Sequence, residues 1–198
     1  MNDHKDYQGA KLGMWLFLFT EVLLFGGLFV LYAVYLSRYP ESFHKAGQDL
    51  NPVFGTINTA VLITSSLTMA LSISALQKGN VKLSKILIML TICLALCFLT
   101  IKYFEWGAHI HHGIYPNSPD LLKLPKGEIV FYGLYYVMTG LHGVHVLIGI
   151  VVLSFLWRFV HTGKVSQNDC VMLENAGLYW HLVDLVWIYL FPLFYLIV

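Results

Sequence analysis

Five long apolar runs alternate with shorter polar stretches along the chain, at about 12–36, 54–76, 83–106, 129–160 and 175–198. Each is long enough to cross a hydrocarbon layer as a helix, which needs roughly 20 residues. The pattern predicts an all-α membrane protein, a bundle of five transmembrane helices forming a single domain over 1–198. The fourth run is long enough to tilt or to protrude into water. The connection QKGN between the second and third runs is so short that those two helices must form an antiparallel hairpin. Pro and Gly punctuate the long connections YPESFHKAGQDLNP and GAHIHHGIYPNSPDLLKLPKGE. The first apolar run is too long for the core of a signal peptide, so it is expected to stay as the first span.

Positive charge near the ends of the runs sets the expected orientation. With the N-terminus in the cytoplasm, Lys5, Lys11, Lys78, Lys82, Lys85, Arg158 and Lys164 fall inside. Arg38, Lys45, Lys102, Lys123 and Lys126 fall outside. The compact group at Lys78, Lys82 and Lys85 favours this arrangement, with the C-terminus on the outer, periplasmic side.

Composition agrees with the class. Apolar residues make up 58% of the 198 residues and charged ones only 12%, against about 25% charged in a soluble domain. The net charge of +1 gives no reason to expect a nucleic-acid partner. Five spans leave no room for a separate soluble catalytic domain. Cys93 and Cys97 lie in one apolar run and Cys170 in a connection, which is no disulfide framework.

Polar side chains inside apolar runs are costly, so each needs a reason. Glu21 lies about nine residues into the first run, roughly 14 Å along a helix and near mid-membrane. It reads either as a carboxyl hydrogen-bonded to a neighbouring helix or as a proton-exchanging group. Asn58, Ser65 and Ser72 recur every seven residues beside Thr68, a stripe suited to close helix packing. Lys102 and Glu105, three apart near the outer end of the third run, either pair with each other or reach the interface, where snorkelling would account for the lysine. In the fourth run His142, His145 and Gly149 share one face, and Gly133, Gly140 and Gly143 share the opposite one, which invites close packing. In the fifth run Glu174, Gly177, His181, Asp184 and Ile188 form one stripe with Trp180 and Trp187 beside it. This stripe is expected to be a seam turned toward other helices and away from lipid. Glu21, Glu105, His142, His145, His181 and Asp184 also make an inventory of metal donors. Helix–helix hydrogen bonding accounts for them more simply. The sequence holds no c-type haem attachment motif, phosphate-binding loop, dinucleotide fingerprint or nucleophile constellation.

Four stretches carry a resemblance: GMWLFLFTEVLLFGGLF at 13–29, INTAVLITSS at 57–66, TGLHGVHVLIG at 139–149 and ENAGLYWHLVDLVWIYLF at 174–191. In this order they resemble the cytochrome c oxidase subunit III family of haem-copper terminal oxidases. The resemblance implies a subunit with no catalytic residue, metal or other cofactor of its own. It implies partnership with subunit I and the other oxidase subunits, with haem and copper held in subunits I and II. It also implies a multi-pass location in the bacterial inner (cytoplasmic) membrane, and the setting extends to phospholipid and to a respiratory supercomplex. Glu21 matches the family's reactive buried carboxyl. Asn58, His142, His145, Glu174, His181 and Asp184 are then candidates for an internal polar network and a lipid-holding cleft, with Gly133, Gly140, Gly143 and Trp180 as packing residues. Many family members have seven spans. The first span here matches the third of those, as in the five-helix forms, and the cleft must then be closed by lipid or another subunit.

The expected function is a non-catalytic subunit of an oxygen-reducing, proton-pumping respiratory oxidase fed by cytochrome c or quinol. It would stabilise subunit I and support proton uptake and sustained turnover. The alternatives are the related subunit of a nitric oxide reductase system, a stand-alone transporter or proton channel on the Glu21 and Asp184 seams, and a haem or metal enzyme.

Overall fold

A computed structural model of the chain describes residues 6–111 and 113–197. Lys5, counted above among the inner charges, and Val198, the end of the fifth run, lie outside them. All five apolar runs are helices long and apolar enough to cross a membrane: α1 (Tyr7–Arg38), α3 (Pro52–Gln77), α4 (Val81–His111), α5 (Lys126–His161) and α6 (Val171–Tyr195). The helices outrun the apolar segments because polar residues continue or cap them. The Asp6 side chain accepts the Gly9 N–H at 2.8 Å and the Asn51 side chain the Val53 N–H at 3.0 Å. Each satisfies an N–H that a helix start leaves free.

One element departs from expectation. The stretch read as a connection after the first run contains a short helix, α2 (Pro40–Gln48). Pro40 suits a first helical position, Glu41 the positive end and Lys45 the negative end of the helix dipole. Phe43, Ala46 and Gly47 are buried beneath it. Lys45 Nζ reaches Glu128 Oε1 of α5 at 2.9 Å, and the Tyr132 hydroxyl donates to Asp49 Oδ2 at 3.1 Å. A Cβ on Gly127 would lie 2.5 Å from the Cβ of Ser42, so this seat needs a glycine.

The expected α3–α4 hairpin forms. Gly79, at φ +77, takes the left-handed conformation that lets the chain reverse, and its N–H donates to the Leu76 carbonyl at 2.9 Å. α3 packs most extensively on α4 and then on α6, while α5 packs on α4, α6 and α2. Hydroxyls and indoles fix these contacts: the Thr68 and Thr91 hydroxyls meet at 2.8 Å, and Trp180 and Trp187 of α6 donate to Ser65 and Thr59 of α3, each at 3.1 Å. α1 lies against α6 and α5 along Leu18, Phe25 and Tyr32, spaced by seven residues. The Tyr32 hydroxyl donates to the Leu193 carbonyl at 2.5 Å, serving the end of α6, whose last carbonyls have no helical partner.

The glycines differ from the expected pattern. A Cβ on Gly133 or Gly143 would meet nothing within 4 Å, so neither makes a close helix approach within the chain. Gly140 faces the Trp106 ring at 3.2 Å. The tight contacts lie elsewhere: a Cβ on Gly149 would come within 2.5 Å of Trp180, and one on Gly177 within 2.6 Å of Ile73. A helical wheel assigns glycines to faces but does not say which face a neighbour covers.

Candidate functional site

The polar residues within the spans do not form one continuous seam. They divide into separate clusters, each tying two or three helices. Ile188, expected on the seam, is 43% exposed, so the outer part of that stripe faces outward.

Glu21 and His145 meet across α1 and α5, with Oε2 and Nε2 2.9 Å apart and both side chains largely enclosed. His145 Nδ1 lies 2.8 Å from the Leu141 carbonyl, which can only accept, so Nδ1 carries a hydrogen. The bond between Nε2 and Glu21 therefore holds a single proton shared by the two groups. Phe25 packs edge-on to the imidazole at 5.3 Å, and the Tyr179 hydroxyl donates to the His145 carbonyl at 2.9 Å. Glu21 thus has a specific proton partner in an otherwise apolar wall.

In a second cluster Lys102 pairs with Glu105, as their spacing allowed, and does not snorkel to the interface. Its residue is only 7% exposed, and its ammonium turns inward. Nζ lies 2.9 Å from Glu105 Oε2, 2.8 Å from the Tyr195 hydroxyl and 3.3 Å from the Tyr135 hydroxyl. Three N–H donors thus find three acceptors. Tyr135 donates to Glu105 Oε1 at 3.0 Å, and Tyr195 donates to the same oxygen. The ammonium also sits over the Trp187 ring at 5.0 Å and the Tyr135 ring at 5.2 Å. Desolvating such a pair is costly, and only full hydrogen bonding of this kind sustains it.

At the opposite end of α6, Glu174 accepts from Gln77 at 3.0 Å and from the Cys170 thiol at 3.1 Å, and pairs with Lys11 at 3.1 Å. This ties α1, α3 and α6 together. Burial, and then the hydrogen bond to Glu174, push the Cys170 thiol above its ordinary range. Between the two ends, His181 Nδ1 meets the Ser66 hydroxyl at 2.6 Å, while Asp184, 7% exposed, has a buried Oδ1 with no hydrogen-bond partner.

Asn58 and His142 stand apart. Both are wholly buried, and neither amide atom of Asn58 nor either ring nitrogen of His142 has a hydrogen-bond partner. His142 packs instead on Phe98 at 5.5 Å and on Trp187 at 5.3 Å. A buried polar group left unsatisfied costs about 1–3 kcal/mol. Trp180, 1% exposed, serves packing by closing on Gly149.

Of the residues singled out in the sequence, the fold joins Glu21 to His145, ties His181 to Ser66 of α3 and leaves Asp184 Oδ1 without a partner. It leaves Glu174 at one end and Asn58 and His142 in the interior. Nothing in the sequence marks Tyr135 and Tyr195 as partners of this pair; they lie in apolar runs where a tyrosine usually marks an interface. Among the described residues no group of three or more His, Cys, Asp or Glu is arranged to hold a metal ion.

With this geometry in view, the sequence model for the family described as cytochrome c oxidase subunit III matches residues 2–197. The chain belongs to the cytochrome c oxidase subunit III family. It is 32% identical over 197 residues to a cytochrome c oxidase subunit 3 of Thermostichus vulcanus, covering 99% of this chain and 90% of that one. It is 29% identical over 201 residues to a probable quinol oxidase subunit 3 of Staphylococcus saprophyticus, covering 98% and 93%. A third relative, a heme-copper oxidase subunit I+III of Aeropyrum pernix, is 30% identical over 209 residues, which cover 98% of this chain and 24% of that one. As an oxidase subunit III, the chain is an integral membrane protein and a partner of other oxidase subunits.

Proposed function

We propose that this chain is the non-catalytic subunit III of a haem-copper respiratory oxidase in a bacterial inner membrane, packed against subunit I. There it stabilises subunit I and supports proton uptake and sustained turnover. The observation that carries the reading is the family match across residues 2–197. The relative in which subunits I and III are one polypeptide supports subunit I as the neighbour. Relatives named for cytochrome c and for quinol oxidases show that the same family occurs under both donor names. Haem and copper belong to the partner subunits in this reading, and oxygen reduction takes place there.

Three further parts of the proposal rest on particular residues. Lys78, Lys82 and Lys85 at the α3–α4 turn support an N-terminus in the cytoplasm, which puts Glu174 on the cytoplasmic side and Lys102 toward the outer side. The shared proton of Glu21 and His145 supports Glu21 as a proton-exchanging group. An apolar groove of about 520 Å³ between α1, α5 and α6, lined by Met14, Phe17, Val152, Phe155 and Tyr179 among others, supports a bound phospholipid chain.

The test is to tag the chain at its C-terminus, extract the membranes gently and identify what co-purifies. A stoichiometric haem-containing subunit is expected. A chain that purifies alone and moves protons in vesicles would replace this reading with a transporter. Reporter fusions at Lys82 and after Tyr195 should fall on opposite sides of the membrane; finding both on one side would remove the proposed topology.

A further inference from the structure

α1 and α3 both pack on α6 but not extensively on each other, and a crevice of about 360 Å³ lies between them. Its floor is one stripe of α6: Glu174, Gly177, Leu178 and His181, at the i, i+3, i+4 and i+7 spacing that keeps residues on one face. Lys11 and Trp15 of α1 form one wall and Ile73 of α3 the other. Glu174 spans the mouth, pairing with Lys11 at 3.1 Å and accepting from Gln77 at 3.0 Å, at the end of the bundle that carries the α3–α4 turn. The crevice ends on His181, ten residues or about 15 Å into α6 and so near the middle of its span.

Two polar atoms of lining residues have no protein partner. His181 is held through Nδ1, which meets the Ser66 hydroxyl at 2.6 Å, and among the described residues Nε2 has no hydrogen-bond partner. Asn175, which also lines the crevice, gives an amide N–H to the Ala10 carbonyl at 3.2 Å, while its Oδ1 is buried and unpaired. Hydrocarbon satisfies neither atom, and a buried polar atom left bare is costly. Lys11 and Glu174 at the mouth are ions, which a lipid chain does not solvate. Water serves all four, and the volume has room for several molecules at about 30 Å³ each.

We infer that this crevice holds water and gives His181 one-sided proton exchange with the aqueous phase at the Glu174 end of the bundle. Nε2 takes a proton from crevice water and returns it the same way. The Ser66 hydroxyl can donate to a neutral imidazole and accept from a charged one, so its bond to Nδ1 survives in both states. The other ionisable groups around His181 are Lys11 of α1 and Glu174 and Asp184 of α6, while α3 brings no charged side chain to the crevice. Beyond His181 the outward side of α6 turns apolar at Leu185 and Ile188, 50% and 43% exposed, so the water path stops at mid-span. In the oxidase reading such a site collects protons at the cytoplasmic side. The crevice itself is made by this chain's own packing, so its wetting is tested apart from that reading.

Two measurements on the assembled protein in its membrane test this. In the wild type, deuterium exchange at the histidine Cε1–H, read by mass spectrometry, should run several times faster at His181 than at His142, which is 0% exposed. Equal rates would overturn the inference. The second measurement uses a background with Cys93, Cys97 and Cys170 changed to serine, in vesicles of known orientation. A positively charged thiosulfonate reagent should label Leu178→Cys and His181→Cys from the same side as Lys82→Cys, which marks the α3–α4 turn, and not from the other side. Leu185→Cys, seven residues beyond Leu178 on the same face, should stay unlabelled. Labelling of Leu178→Cys and His181→Cys no faster than that of Leu185→Cys would mean that lipid chains fill the crevice, and would overturn the inference. Labelling of His181→Cys from both sides would equally overturn it. If a cysteine variant fails to assemble, the wild-type exchange rates decide.

Discussion

Replacing Lys102 by methionine keeps most of the side-chain volume and removes the charge. If Lys102 were a snorkelling residue, its head would be in water and its loss would cost at most about 1 kcal/mol. The structure points to a larger effect, because Lys102 is 7% exposed and its partner Glu105 4% exposed. Without the ammonium, Glu105 keeps two phenol donors on Oε1 but loses its counter-charge on Oε2. Removing one member of a buried pair costs about 3–5 kcal/mol. For a chain of this size that corresponds to a drop in melting temperature of roughly 10 °C.

The double variant Lys102→Met with Glu105→Met separates charge from packing. It removes both ions and leaves the Tyr135 and Tyr195 hydroxyls 3.4 Å apart, close enough to serve each other. It should recover at least about 2 kcal/mol relative to the sum of the two single variants, a coupling typical of contacting residues. The assay is thermal unfolding of the detergent-solubilised protein, followed by tryptophan fluorescence, with Trp187 beside the site. A loss of under about 1 kcal/mol in Lys102→Met, or additive single variants, would refute the buried-pair account.

Gly149→Ala should lose about 1–3 kcal/mol through overpacking against Trp180, while Gly143→Ala should be neutral or slightly stabilising, since its Cβ meets nothing within 4 Å; parallel melting curves would show the contrast. Cys170 should alkylate slowly at pH 8 in a background with Cys93 and Cys97 changed to serine, because burial and Glu174 favour its protonated thiol. Glu174→Gln removes the second of those causes, so the thiol titrates lower, its thiolate fraction at pH 8 grows, and the rate should rise at least about threefold. An unchanged rate would mean that Glu174 does not govern the thiol.

The number and type of the spans are legible in the sequence because hydrocarbon admits few alternatives to a long apolar helix. The short α2 is harder to see, since it shows as polar on average and its buried Phe43, Ala46 and Gly47 matter only against α5. Signals for it exist in Pro40, Glu41 and Lys45, placed where a helix favours them. Glu21 and His145 each stand out as polar residues in apolar runs, but 124 positions separate them and only the packing of α1 on α5 brings them together. The pairing of Lys102 with Glu105 is legible from their spacing, but the inward turn of the lysine is not, for a related reason. Its acceptors Tyr135 and Tyr195 lie 33 and 93 positions away, so the local run contains a lysine near a helix end and a glutamate one turn on. Periodicity places residues on faces, while tertiary packing decides which polar faces meet.

The central claim, a supporting subunit without chemistry of its own, is tested most directly by turnover against time. Oxygen consumption would be followed for the oxidase with and without this chain, with the haem content of the partner verified in both. The account predicts an appreciable initial rate in both preparations, followed by faster loss of activity over successive turnovers and slower proton uptake at high pH where the chain is missing. Complete loss of oxygen reduction at the first turnover, with the partner's haems intact, would contradict it.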